Sequence, residues 1–130
     1  MRTAKDLAQA SLKLVREGDR DGWLALFAED GVVQDPVGVS PLDPTGQGHR
    51  GKAAITKFYD TVISKNSSVK GEITEAILCG DECACTVAFQ MSGPDGKPRV
   101  LRAINVYKAT KDGKLASLRS FWDISSYPVA

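Results

Sequence analysis

The chain contains one histidine, His49, and three cysteines bunched between positions 79 and 85, Cys79, Cys83 and Cys85. A structural zinc site draws four ligands from Cys and His. No fourth ligand lies near this Cys-x3-Cys-x-Cys cluster, so a metal centre is not expected. Cys83 and Cys85 alternate with Val87, Phe89 and Met91 on one strand face, where small apolar thiols fill a core. The chain also has no apolar run long enough to span a membrane and no signal-peptide core near its start. Those absences predict a cytoplasmic protein that does not meet the membrane, and they leave the Asn66-Ser67-Ser68 sequon without consequence. Charge of one sign is missing as well: 17 basic and 16 acidic residues give a formal net charge of +1. Nothing there favours nucleic acid as a partner.

What remains is an ordinary globular composition, 42% hydrophobic and 25% charged over 130 residues, the size of one domain. Domain 1–130 has no internal repeat. Thr3 caps a first helix with Leu7, Ser11, Leu14 and Val15 on one stripe. Gly18-Asp19 ends it. A second helix over 21–31 buries Trp23, Leu24, Phe27 and Ala28 and stops at Gly31. Val32–Val37 reads as a strand. Residues 38–48 form a Gly/Pro/Ser-rich loop, and a third helix runs from about Arg50 to Lys65 with Ile55, Phe58, Tyr59 and Val62 inward. Four strands follow near 69–79, 82–91, 99–109 and 115–125, joined by short turns that favour antiparallel pairing. Helices early and strands late predict an α+β domain, with helices packed on one face of a curved sheet.

Two features invite a chemical reading. Gly46-x4-Gly51-Lys52 resembles the start of a phosphate-binding loop, but Ala53 stands where magnesium needs Ser or Thr, and no strand precedes it. His49 in the same stretch reads as a solvated or capping residue. The stronger feature is Asp35 in Asp35-Pro36-Val37-Gly38. Alternation along a strand puts Val33, Asp35 and Val37 on one side. An inward Asp35 is an acid in an apolar wall, where desolvation disfavours its charge and suits it to proton transfer. Asp-Pro also reads as a turn that ends the strand. Ser11 and Asn105 are polar groups on two other apolar faces. A buried carboxylate and a buried amide need partners, and a pocket with a polar floor supplies them.

Gly18-Asp19-x-Asp21-Gly22-x-x-Ala25-Leu26-Phe27-Ala28-x-Asp30, followed by Asp35-Pro36-Val37-Gly38, resembles the N-terminal half of a ketosteroid isomerase. Gly51-x-x-Ala54-Ile55-x-x-Phe58-Tyr59 and Leu118-Arg119-Ser120-Phe121-Trp122 are similar to that family's third helix and last strand. The resemblance implies the cone-shaped fold of nuclear transport factor 2 and the small polyketide cyclases, with a curved antiparallel sheet wrapped around three helices. It implies Asp35 as the general base that shuttles a proton beside a steroid ketone. Tyr59 would support the oxyanion network and Trp122 would line the steroid pocket, with Val33, Val37, Phe58 and Phe89 as further wall. It implies no cofactor, a small hydrophobic steroid-like ligand and a homodimer. Two positions depart from the family pattern. Ser11 stands for the main oxyanion tyrosine, and Asn105 for an aspartic acid whose raised pKa is an established example of carboxyl tuning. An amide donates at any ordinary pH, but losing a good oxyanion donor costs about two to three powers of ten in rate. The functional classes are therefore a slow isomerase, a steroid or lipid binder with little turnover, and a polyketide cyclase-like enzyme.

Overall fold

The computed structural model describes residues 1–126. Three helices come early, α1 (Ala4–Glu17), α2 (Arg20–Ala25) and α3 (Lys52–Phe58). Six strands complete the fold: β1 (Phe27–Gln34), β2 (His49–Arg50), β3 (Lys70–Cys79), β4 (Glu82–Ser92), β5 (Pro98–Ala109) and β6 (Leu115–Phe121). They form one curved, unclosed sheet in the order β2-β1-β6-β5-β4-β3, with the helices against its inner face. No helix is long and apolar enough to cross a membrane among the described residues.

Local chemistry explains the first helix. The Thr3 hydroxyl accepts from the Asp6 amide at 3.1 Å while the Thr3 amide donates to the Asp6 carboxylate at 2.9 Å, a reciprocal capping box. Gly18 ends the helix in a left-handed conformation, φ 70°. The inward stripe runs through Leu7, Ser11 and Leu12, all buried, with Leu14 and Val15 half-buried. Strand β4 alternates as its pattern requires: Cys83, Cys85, Val87 and Met91 are buried and the residues between them mostly exposed. Burial pushes the Cys85 thiol up to about 12, so it acts as a packing group rather than a nucleophile.

Four features differ from the sequence expectation. The second helix has six residues, and the chain turns into strand at Phe27, so Phe27 and Ala28 belong to β1. Gly31 is no helix stop. It lies inside β1 near an irregularity in register, and its carbonyl accepts from the Gly51 amide at 2.8 Å. Pairing of β1 with β6 overrides the weak helical bias of Ala28-Glu29-Asp30, because tertiary ladders outweigh propensities of a few tenths of a kcal/mol per residue. That pairing is parallel, so the sheet is not wholly antiparallel. The third helix loses its α geometry at Tyr59, continuing as a π turn through Ile63 and a short 3-10 turn through Asn66.

Gly51 sits at the start of α3 with φ 86°, and the Lys52 ammonium donates to the Leu24 carbonyl. The phosphate-loop look-alike is thus a joint between β2 and α3. His49 is not a solvated loop residue. It lies on β2 paired with Val33, half-buried, its ring 4.6 Å from that of Phe58.

Candidate active site

Helix α1, the loop after β1, the turns that follow α3 and the inner faces of β4, β5 and β6 line a cavity of about 550 Å³. That volume lies within the usual range for small-molecule sites. Its wall is mainly apolar, including Leu12, Val15, Leu42, Phe89, Leu101 and Leu118. Asp35 is the only charged side chain among the described wall residues. A pocket of this composition rewards an uncharged, hydrophobic ligand with few polar atoms.

Strand β1 stops at Gln34, so Asp35 follows the ladder rather than belonging to it. The Trp122 indole, just beyond the end of β6, donates to the Asp35 carboxylate at 2.6 Å. Burial raises the Asp35 carboxyl above its ordinary value of 3.8, while the hydrogen bond from Trp122 pulls it partly back. Desolvation is the larger effect, as expected of a carboxyl in an apolar wall.

A second polar group lies on β5, β6 and α1. The Ser120 hydroxyl donates to the Asn105 carbonyl oxygen at 2.5 Å, and the Asn105 amide donates to the Tyr107 hydroxyl at 3.0 Å. Ser120 and Asn105 are register partners on β6 and β5, which fixes that contact. Asn105, Tyr107 and Ser120 are all buried. Opposite them, the Trp23 indole donates to the Ser11 hydroxyl at 3.0 Å. Trp23 itself is held by Phe27, ring centroids 4.7 Å apart, and by Tyr59 at 5.5 Å.

Of the residues singled out in the sequence, Asp35, Ser11, Asn105, Trp122 and Phe89 meet around this cavity. Four others stand outside its wall. Val33 is buried in the core, and Phe58 packs beneath His49. Tyr59 lies behind Trp23, and the π turn that starts at Tyr59 brings Ile63 to the wall. Val37 is past the strand and uses its amide to donate to the Ser120 carbonyl at 3.0 Å. Its expected alternation with Asp35 fails because no strand exists there.

Sequence reasoning missed Ser120 and the wall residues Pro41 and Leu42. The last two sit on the 38–48 loop, which folds back on itself: Ser40 and Asp43 bridge, and the buried Asp43 carboxylate accepts from the Gly48 amide at 2.9 Å.

This arrangement can bind an apolar skeleton, accept or return a proton at Asp35 and donate hydrogen bonds to an oxygen near Asn105. Comparison with known proteins gives the same family. The SnoaL-like domain matches residues 8–118. The Steroid Delta-isomerase of Nocardioides simplex is 29% identical over 112 residues, covering 85% of this chain and 82% of that protein. RV0760c from Mycobacterium tuberculosis, solved in complex with estradiol-17beta-hemisuccinate, superposes with a TM-score of 0.85 at 31% identity, covering 96% of this chain and 97% of that one. The Delta 5-3-ketosteroid isomerase from Mycobacterium sp. superposes with a TM-score of 0.80 at 32% identity over 97% of both chains. With that match running from α1 into β6, the chain belongs to the SnoaL-like family of the nuclear transport factor 2 fold, alongside the ketosteroid isomerases.

Proposed function

We propose that this protein is a steroid delta-isomerase-type enzyme that works without a cofactor. In this reading Asp35 takes a proton from the carbon beside a 3-ketone, and the negative charge moves onto the ketone oxygen. The proton then returns two carbons away, leaving the double bond conjugated. The observation that carries the proposal is Asp35: a lone carboxylate in an apolar cavity, fixed by Trp122 and raised in pKa by burial. Kinship with two steroid isomerases supports the substrate class.

The direct test is conjugated-enone absorbance with a 5-ene-3-ketosteroid across pH. The base must be ionised, so kcat/KM should climb with pH and level off above the pKa of Asp35. Because burial raises that pKa, the midpoint should lie above 3.8. A profile flat through the acid range, or centred below 3.8, removes Asp35 as the base. A second reading, a steroid binder with little turnover, draws support from Ser11, whose hydroxyl is engaged by Trp23. Tight steroid binding with no enone formed at any pH would favour it.

The protein is further proposed to pair as a homodimer through the outer face of its sheet. Ile104 and Phe121 are register partners there, 51% and 40% exposed, beside Ala84, Val106 and Ile77. An apolar patch of this kind on a small domain marks an interface, and a two-fold contact is the commonest way to close it. Light scattering at micromolar concentration should give twice 13.9 kDa, and Ile104→Glu should give the monomer. A wild-type mass of 13.9 kDa would sink the proposal.

A further inference from the structure

We propose that the Tyr107 hydroxyl, delivered from β5, donates a hydrogen bond to the ligand oxygen at the polar end of the cavity. It would thereby take over the task that the resemblance gives to a tyrosine on helix α1. The proposal deepens the steroid reading and rests on it for the kind of ligand used.

Position 11 is serine, and its short side chain lines the cavity. The ring of Tyr107 enters the cavity wall from the facing strand. Its hydroxyl accepts from the Asn105 amide at 3.0 Å and lies against the Ser11 hydroxyl. Asn105 cannot turn its carbonyl toward Tyr107 without giving up the Ser120 hydroxyl, which donates to that carbonyl at 2.5 Å. The order of donors is therefore Ser120 to Asn105 to Tyr107, and the phenol proton is the end of the line.

A buried hydroxyl proton needs an acceptor. The Ser11 oxygen already accepts from Trp23 at 3.0 Å. A ligand oxygen that gains negative charge competes well against it, since charge-assisted hydrogen bonds are roughly twice as strong as neutral ones. Receiving a bond from Asn105 also polarises the phenol and strengthens its own donation. Burial pushes the Tyr107 hydroxyl well above its ordinary value of 10.0, so it remains a protonated donor throughout the working range. The remaining neighbours that bear on it are Cys85, buried on β4, and Asp35 across the cavity, and both act in the same direction.

The test uses the full chain with two probes, estradiol, which carries a phenol on its A ring, and the analogue lacking that 3-hydroxyl. Wild type should bind estradiol more tightly, and Tyr107→Phe should shrink that preference about tenfold, the size of one hydrogen bond to a polar or charged group. A role in packing alone would weaken both probes equally. With 5-ene-3-ketosteroid, Tyr107→Phe should lower kcat about a hundredfold with little change in KM.

An unchanged preference in Tyr107→Phe overturns the proposal, as does a wild type that prefers neither probe. If wild type turns over no ketosteroid while the preference still falls, the isomerase reading fails and the Tyr107 assignment stands. Should the variant not fold, wild-type chain labelled with 3-fluorotyrosine serves instead. The sequence has three tyrosines, and Tyr59→Phe and Tyr127→Phe assign the Tyr107 fluorine signal by elimination. Estradiol should shift that signal more than the analogue does; equal shifts overturn the proposal.

Discussion

Asp35→Asn is expected to lower isomerisation of a 5-ene-3-ketosteroid by about 10²–10⁴-fold, the range a positioned general base contributes. The substitution keeps shape and keeps an oxygen that can accept from the Trp122 indole, now at 2.6 Å from the carboxylate. It removes only the basic lone pair. Ligand binding should survive or tighten, because a neutral amide is cheaper to desolvate than a carboxylate. Stability gives an independent check. The folded-state pKa of Asp35 lies above the value in the unfolded chain, so the folded protein holds the proton longer. Stability therefore falls as pH rises from the unfolded pKa, about 3.9, through the folded one, and stays lowered above it. Asp35→Asn escapes this loss. The variant should be more stable than wild type near neutrality, with the gap closing below about pH 4. Wild-type turnover by the variant would remove Asp35 from the mechanism, and a gap of the opposite sign would show that its carboxylate is favourably held.

Trp23→Ala should destabilise the fold by about 3–5 kcal/mol, the range for deleting a large buried aromatic side chain. Trp23 is 1% exposed. It is clasped edge-on by Phe27 and tilted against Tyr59, and such ring pairs add about 0.5–1.5 kcal/mol each beyond area burial. One effect works the other way. Trp23 also borders the cavity, so the space it vacates joins a cavity already present and can be entered by water. The lower end of the range is therefore expected, near 3 kcal/mol. Urea unfolding measures it as a lower midpoint at nearly unchanged slope. Trp23→Phe isolates the indole bond to Ser11 and should cost about 1 kcal/mol. A loss below about 1 kcal/mol for the alanine variant would mean that the aromatic group does not support this floor.

Much of this architecture is legible in the sequence because period and capping are local. The stripe through Leu7 and Ser11 and the alternation of Cys83, Cys85 and Val87 identify inward faces without any knowledge of their partners. Asp35 stands out because it breaks an apolar pattern. What stays hidden depends on distant pairing. Nothing near Phe27 announces a strand, since its partner Leu115 is supplied from the far end of the chain. Ser120 looks like an ordinary inward serine until register sets it opposite Asn105. Tyr59 and Phe58 show the reverse failure. Their stripe correctly marks them as inward, but pattern gives no measure of depth, and both lie behind the wall rather than on it, Tyr59 against Trp23 and Phe58 against His49.

The parallel contact between β1 and β6 also governs the order in which the proposed site comes together. Asp35 and Trp122 are separated by 87 positions along the chain. Contacts of such separation are late and slow to form, because the closure entropy must be met before the contact returns any free energy. Cys83–Met91 and its neighbouring hairpins can assemble early from near neighbours, whereas the acid and its indole meet only when the final strand docks beside the first. The site proposed for proton transfer is thus a closing seam, and a chain that has completed its hairpins but not that seam has a sheet in which Trp122 does not yet hold Asp35.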